Sequence, residues 1–288
     1  MSYVTEENLR DVVISTLNTD DERFKEIFTA LVKHIHAFTK EVDLTLDEWF
    51  VGIDFLTRTG QMCDEDRQEF VLASDMFGLS ALVDMMHNRG QGSATESAVL
   101  GPFHTKALPM EMGATIARGP EEDRGEQAVV RGMIKDSNGN PIENATLDVW
   151  HADDVGFYDV QDEKQPDHNL RGIFKTGADG QYWFRTIKPS PYPVPTDGPV
   201  GELLNAIGKH AMRPAHLHFK IDAPGFDQLV TQIYSADSGY LDSDAVFGVK
   251  ESLLAKYVPN HSAKEASKHD FRTPFFEMDF DFVLSRRS

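Results

Sequence analysis

One cysteine in 288 residues, Cys63, means that no disulfide can form within the chain, and such usage suits a protein of the reducing cytoplasm. Basic residues are scarce: 28 Lys and Arg stand against 47 Asp and Glu, for a net charge of -19. A surface so acidic repels phosphate backbones, which argues against a nucleic-acid partner. Long hydrophobic runs are missing too. No stretch reaches the roughly 18 apolar residues that a membrane span needs. The opening MSYVTEENLRDVV has neither the basic start nor the apolar core of a signal peptide. Internal repeats and low-complexity tracts are absent. What is there is an ordinary globular balance, 40% hydrophobic and 26% charged, in a chain long enough for one large or two ordinary domains.

Residues 1 to about 90 carry helical periodicity. Phe24, Ile27, Phe28, Leu31, Ile35 and Phe38 recur at three- and four-residue steps and form one apolar stripe. Thr45-x-x-Glu48 is a capping box, with Trp49, Ile53 and Leu56 following on one side. Asp64 to Arg89 reads as a third long segment, with Phe70, Met76, Phe77, Leu82, Met85 and Met86; Gly78 inside it costs about 1 kcal/mol against alanine. The simplest expectation is that these stripes pack on one another. The alternative is a surplus of apolar surface that forms a dimer seam or a lipid slot.

The pattern changes near residue 90. The stretch GQGSATESAVLGPFH is rich in glycine and serine and marks a linker or structured loop. From 127 onward the signals are strands and turns: Ala128 to Ile134 before a Ser-Asn-Gly-Asn-Pro turn, Thr146 to Trp150, an Asp-Gly turn before Tyr182 to Phe184, then Leu217 to Ile221, Leu229 to Tyr234 and Phe275 to Leu284. Short strands with regular turns predict a β-sandwich. The polar stretch 259–272 reads as a surface loop.

Within this region, Arg213-Pro-Ala-His-Leu-His-Phe219 puts His216 and His218 on one face of a strand and Leu217 and Phe219 on the other. Two imidazoles on one face with hydrophobes behind are half of a metal site, although alone they are equally compatible with packed core histidines. His34-x-His36 has the same spacing inside a helical stretch, where residues two apart do not face each other. Phenolate oxygen suits a hard cation such as iron(III), which stabilises the ionised tyrosine. Tyr158, Tyr192 and Tyr240 all lie in turn-like context between strands, and spacing does not select two of the three. A zinc hydrolase fits less well, because zinc favours His, Cys and carboxylate ligands.

Taken in order, Val149-Trp-His-Ala152 leading to Gly156-Phe-Tyr158, Pro191-Tyr-Pro193 before Asp197-Gly-Pro199, Arg213-Pro-Ala-His-Leu-His218 and Thr231-Gln-Ile233 resemble the intradiol ring-cleaving dioxygenases over essentially the whole chain. The resemblance implies an α+β protein, with an N-terminal all-helical dimerisation and linker domain at 1–100 followed by a β-sandwich catalytic domain at 101–288. It implies one Fe(III) per chain held by Tyr158, Tyr192, His216 and His218, with Tyr192 and His218 as the axial pair and Tyr158 and His216 as the equatorial pair. Tyr192 then takes a proton from the bound diol, Arg213 lies beside the substrate, and Gln232 is a polar residue of the site wall. A homodimer formed through the helical domain, which can hold a phospholipid, is implied as well, and this strengthens the dimer-seam reading of the apolar stripes. Arg213 is always charged and can stabilise negative charge building on a ring, and Pro214 fixes the chain where that side chain must turn.

Leu72-Ala-Ser-Asp75 separates subgroups. Asp75 stands where catechol-cleaving members usually have proline, and resembles the hydroxyquinol-cleaving group. A carboxylate there can pair with a third ring hydroxyl, a charge-assisted bond of about 1.5–3 kcal/mol. Val99, Leu100, Gly101, Pro102, Phe103, Val194, Pro195 and Val246 match other wall positions, with Leu100 where some members carry an aromatic. The expected reaction is cleavage of hydroxyquinol (1,2,4-trihydroxybenzene) by dioxygen to 3-hydroxy-cis,cis-muconate. Catechol or chlorocatechol cleavage is the alternative within the class, and a non-catalytic ligand-binding sandwich the alternative outside it.

Overall fold

The computed structural model describes residues 3–64, 67–89, 92–119 and 124–287. Parts of four expectations lie outside the described residues: 1–2 of the helical region, 65–66 of its third segment, 90–91 of the Gly- and Ser-rich stretch, and 120–123 and 288 of the catalytic region. The chain forms two compact units, Met1–Arg58 and Thr59–Ser288. Among the described residues no single helix is long and apolar enough to cross a membrane.

The first unit contains α1 (Leu9–Ser15), α2 (Glu22–Glu41) and most of α3 (Leu46–Gln61). Asp21 Oδ1 accepts the Phe24 N–H at 2.9 Å and caps α2. The capping box of α3 is reciprocal: Thr45 Oγ1 accepts the Glu48 N–H at 3.3 Å, and Glu48 Oε2 accepts the Thr45 N–H at 2.9 Å. The stripes do not bury one another in the single chain: Phe24, Ile27, Leu31, Ile35 and Phe38 of α2 stay 51–55% exposed, and Trp49, Ile53 and Leu56 of α3 stay 42–51% exposed.

The second unit opens with α4 (Glu69–Met76) and α5 (Leu79–His87). The expected single segment Asp64–Arg89 is therefore two helices, bent by 78° at Phe77–Gly78. Gly78 has φ +70°; its N–H closes α4 on the Asp75 carbonyl at 2.9 Å, and its carbonyl starts α5 by accepting the Leu82 N–H at 3.0 Å. Glycine adopts the left-handed turn at no steric cost, so a residue that weakens a helix interior serves here to end one helix and begin the next.

Two five-stranded sheets follow. β1 (Gln127–Asp136) is central to the first, antiparallel to β4 (Gln181–Ile187) on one side and parallel on the other to β11 (Phe275–Asp279) and then β12 (Phe282–Leu284), with β10 (Val258–Asn260) outermost. The expected strand Phe275–Leu284 is interrupted at Phe280–Asp281, yet its register continues across the gap, with Ala128 opposite Phe276 and Ile134 opposite Phe282. The second sheet runs β3 (Arg171–Lys175), β2 (Thr146–Trp150), β7 (His216–Asp222), β8 (Leu229–Ser235) and β9 (Leu254–Ala255). Leu147, Val149, Leu217, Phe219, Ile221 and Ile233 from this sheet meet Val130, Ile134, Tyr182, Phe184, Met278 and Phe282 from the other in one core, so the sheets form the expected sandwich.

Other pieces differ from expectation. Strands β3 and β9 and the helix Pro199–Ala206 had no assigned element. The stretch 259–272 is more than a surface loop: it ends β10 and contains the helix Ala263–Lys268, capped by Ser262 Oγ, which accepts the Glu265 N–H at 3.3 Å. Ser262-x-x-Glu265 is the sequence form of a capping box, a signal hidden by the polarity around it.

Candidate metal centre and substrate cavity

Strand alternation places Leu217 and Phe219 in the core and leaves His216 and His218 on the opposite face of β7. Register then supplies their neighbours: Trp150 and Gln232 flank His218, and Tyr234 lies opposite His216. The Trp150 and His218 rings stack 4.8 Å apart at 10°. A two-residue ladder of β5 (Tyr192–Pro193) and β6 (Met212–Arg213) sets Tyr192 directly opposite Arg213. Tyr158 comes from the loop after β2, which Asp153 shapes by accepting the Val155 and Phe157 N–H groups at 3.0 and 2.8 Å. Within that loop Gly156 has φ +94°, and a Cβ there would lie 2.8 Å from the Tyr192 Cβ, so only glycine lets the two tyrosine segments approach.

Four donor atoms converge. Tyr158 Oη is 3.1 Å from Tyr192 Oη and 3.0 Å from His218 Nε2; Tyr192 Oη is 3.4 Å from His216 Nε2; and the two Nε2 atoms are 3.1 Å apart. The contacts run round a ring in which Tyr192 stands across from His218 and Tyr158 across from His216. Ligands about 2.0–2.2 Å from one first-row ion are separated by roughly this much, so the donor set fits a metal. The His216 Nδ1–H donates to the Pro214 carbonyl at 2.7 Å, which leaves its Nε2 lone pair facing the ring. Among the described residues His218 Nδ1 is buried with no hydrogen-bond partner; its ring is held instead by the Trp150 stack and by Gly101, where a Cβ would come 3.1 Å from Cε1. Among the described residues no group of three or more His, Cys, Asp or Glu could hold a metal, so a metal here has to take phenolic oxygen.

The electrostatics point the same way. Burial, then the neighbouring Arg213 charge, lowers the His216 imidazolium to about 3. Burial, followed by His216 and Arg213, holds His218 well below its ordinary value. Both rings are thus neutral at physiological pH, the form that metal ligation requires. Burial and then the adjacent Tyr192 push the Tyr158 phenol up, a preference that a bound cation reverses.

Arg213 is 4% exposed. Its Nη1 lies 3.2 Å from His216 Nε2, at the edge of the donor ring, and its Nη2 donates to Gln232 Oε1 at 2.8 Å and to Tyr234 Oη at 3.2 Å. Gln232 in turn donates to the Val99 carbonyl at 2.6 Å. A cavity of about 180 Å³ is lined by Leu72, Asp75, Pro102, Phe103 and Pro195, together with Arg67, Gln68, Glu69, Val71 and Gln161. Phe103 joins this cavity to the donor ring, stacking on Tyr158 at 4.7 Å. Asp75 is 6% exposed, and burial raises its carboxyl above the usual range, opposed by the Ser80 hydroxyl and Arg213.

Of the expected wall residues, Val194 and Val246 are buried without lining this cavity, Gly101 lies on His218, Val99 contributes its carbonyl, and Leu100 is 39% exposed and outside the lining. Tyr240, the third candidate tyrosine, is also 39% exposed and packs on His210 rather than on the donor ring. Sequence reasoning missed Trp150 as the layer under His218, Tyr234 as a partner of Arg213, and Arg171, whose guanidinium lies 5.9 Å from the centre of the Tyr158 ring. Trp150 was within reach, because a residue directly opposite a histidine on a neighbouring strand shares its face; the other two are set by long-range packing.

A family model described as "Dioxygenase" matches residues 99–286, and one described as "Catechol dioxygenase N terminus" matches 21–95. The chain is 49% identical to a hydroxyquinol 1,2-dioxygenase of Rhizobium sp. (strain MTP-10005), covering 99% of this chain and 97% of that protein. It is 45% identical to a 6-chlorohydroxyquinol 1,2-dioxygenase of Cupriavidus pinatubonensis, covering 99% of each. The solved structure of a hydroxyquinol 1,2-dioxygenase from Pseudomonas putida DLL-E4 superposes with a TM-score of 0.90 at 44% identity, covering 98% of this chain and 99% of that one.

Proposed function

The chain belongs to the intradiol ring-cleaving dioxygenase family, and from that premise we propose that it cleaves hydroxyquinol with dioxygen to 3-hydroxy-cis,cis-muconate. The observation that carries this reading is the ring of four donors, joined through Phe103 to a cavity whose helical wall holds Asp75. Iron(III), one per chain, held by Tyr158, Tyr192, His216 and His218, would supply the electron-accepting centre that activates the diol ring toward dioxygen. Tyr192 Oη accepts one of the protons that the diol gives up. Arg213 keeps its own proton and presents a fixed positive charge where negative charge builds on the ring. Gln232 holds that guanidinium in place. Asp75 pairs with the third hydroxyl across the cavity. The bond between the two hydroxylated carbons breaks, each becomes a carboxyl carbon, and both oxygen atoms of dioxygen enter the product.

The rest of the proposal concerns assembly. We infer a helical dimerisation and linker region over 1–100 and a catalytic region over 101–288. The half-exposed apolar stripe of α2 supports a homodimer seam. A groove of about 520 Å³ in the first unit, lined by Leu9, Ile35, Leu44, Leu46 and Trp49 among others, suits a phospholipid chain. A cytoplasmic location accords with the single cysteine. Labelled dioxygen tests the chemistry. Both labels should appear in a ring-opened hydroxymuconate; one label, or cleavage beside the diol rather than between its carbons, would rule the reaction out.

A further inference from the structure

The connection between β8 and β9 carries a carboxylate that the reaction described so far does not use. Asp244 is 4% exposed. Its Oδ1 accepts from Arg213 Nε at 3.1 Å and from the Val246 N–H at 3.3 Å. Its Oδ2 accepts from Arg213 Nη2 at 3.2 Å and from the Gly248 N–H at 2.9 Å. Each oxygen thus takes one bond from the guanidinium and one from the backbone of the segment that carries Val246. Two residues further on, Lys250 Nζ pairs with Asp84 of α5 at 3.2 Å. The fork of Arg213 and the path of residues 245–248 are therefore fixed by one side chain.

We propose that Asp244 is a positioning residue for ring cleavage: it sets the plane of Arg213 against His216 and Gln232, and ties that plane to the segment bearing Val246. The proposal rests on the reading of Arg213 as the charge beside the reacting ring. A guanidinium held only at its Nη atoms can swing about its Cδ–Nε bond; the two-point carboxylate removes that freedom. An asparagine cannot substitute. Both carboxylate oxygens face donors from two directions, so in either orientation the amide NH₂ meets an arginine N–H and a backbone N–H.

The test compares iron-loaded wild type, Asp244→Asn, Arg213→Met and the double variant for oxygen uptake with hydroxyquinol, for iron content, and for anaerobic diol binding followed by the visible spectrum. Exposed Asp242→Asn is the control. Asp244→Asn should keep its iron and lose turnover about 10- to 150-fold, the range for a displaced charge-assisted bond, with a smaller change in diol binding. In the Arg213→Met background the same substitution should change turnover less than about threefold, because a residue that acts through Arg213 has nothing left to position. Equal losses in both backgrounds, or wild-type turnover in Asp244→Asn, would overturn the proposal. Should Asp244→Asn not fold, Gly248→Ala decides: its added Cβ would lie 3.1 Å from Arg213 Nη2 and overlap Tyr234 Oη, so a folded Gly248→Ala with full turnover refutes the positioning role. Failure of the wild type on every diol would instead refute the proposed function.

Discussion

Gly101→Ala separates a backbone cost from a cost at the donor ring. Gly101 has φ +80°, and an added Cβ would lie 3.1 Å from His218 Cε1. Gly139 has φ +84° with nothing within 4 Å of an added Cβ, so Gly139→Ala carries the backbone cost alone, about 1–2 kcal/mol for an L-residue in the left-handed region. At Gly101 the imidazole must also yield by about 0.3–0.5 Å to reach an ordinary carbon contact. The Cβ would stand 3.8 and 3.9 Å from the two ring nitrogens, so it meets the ring edge-on and pushes it along its own plane toward its Cγ and the backbone of β7, where it has little room. Overpacking of this kind adds about 1–3 kcal/mol, and the displacement exceeds the roughly 0.2 Å tolerance of a metal–ligand bond. Denaturant unfolding of the metal-free protein should therefore place Gly101→Ala about 1–3 kcal/mol below Gly139→Ala. Iron titration should show affinity weakened about 10- to 100-fold in Gly101→Ala and unchanged in Gly139→Ala. If the two variants unfold alike and bind iron alike, Gly101 does not set the position of the His218 ring edge in the way the metal site requires.

Tyrosinate bound to iron(III) gives a visible charge-transfer band, so Tyr158→Phe and Tyr192→Phe should each shift or abolish that band in the iron-loaded protein, while Tyr240→Phe leaves it intact; loss of colour in Tyr240→Phe would put the wrong tyrosine at the metal. Arg213→Lys keeps the charge but cannot reach Asp244 and Gln232 together, so it should retain iron and lose turnover by about 100-fold or more, as expected when charge-assisted bonds of about 1.5–3 kcal/mol are lost; near-normal turnover would show that the planar fork is unimportant. His151 is fully buried with its imidazolium lowered to about 4, chiefly by burial and then, against the Ala152 carbonyl, by Arg171. The unfolded chain binds this proton below about 6.5 and the folded chain does not until about 4, so His151 alone should remove about 3 kcal/mol of stability as pH drops through that window; urea midpoints of His151→Gln as sensitive to acid as those of the wild type would contradict this.

The parts of the fold legible in sequence are those set by near neighbours. The Thr45 capping box, the turn after β1 and the alternation of β7 each depend on residues only a few positions apart, and each forms as read. Gly78 was visible, but the cost of glycine in a helix says nothing of whether the helix continues through it or ends there, and the left-handed turn decides that. The helix Ala263–Lys268 was obscured because its composition is as polar as a loop. At the candidate site the two histidines followed from strand alternation, whereas Tyr158 and Tyr192 could be told from Tyr240 only by resemblance, since the chain brings them together through separate loops. Asp244 was illegible: it meets Arg213 across 31 residues, and nothing near it in sequence announces the pairing.

The central claim is that a dioxygen-dependent site with Asp75 in its wall selects a third hydroxyl. Oxygen uptake by the iron-loaded protein, with hydroxyquinol and catechol measured side by side in wild type and Asp75→Ala, tests it directly. With catechol bound, the Asp75 carboxyl faces an apolar ring edge, so the wild type should prefer hydroxyquinol by roughly 10- to 1000-fold, and Asp75→Ala should narrow that preference by at least about tenfold. Equal turnover of the two substrates by the wild type, or an undiminished preference in Asp75→Ala, would contradict the account.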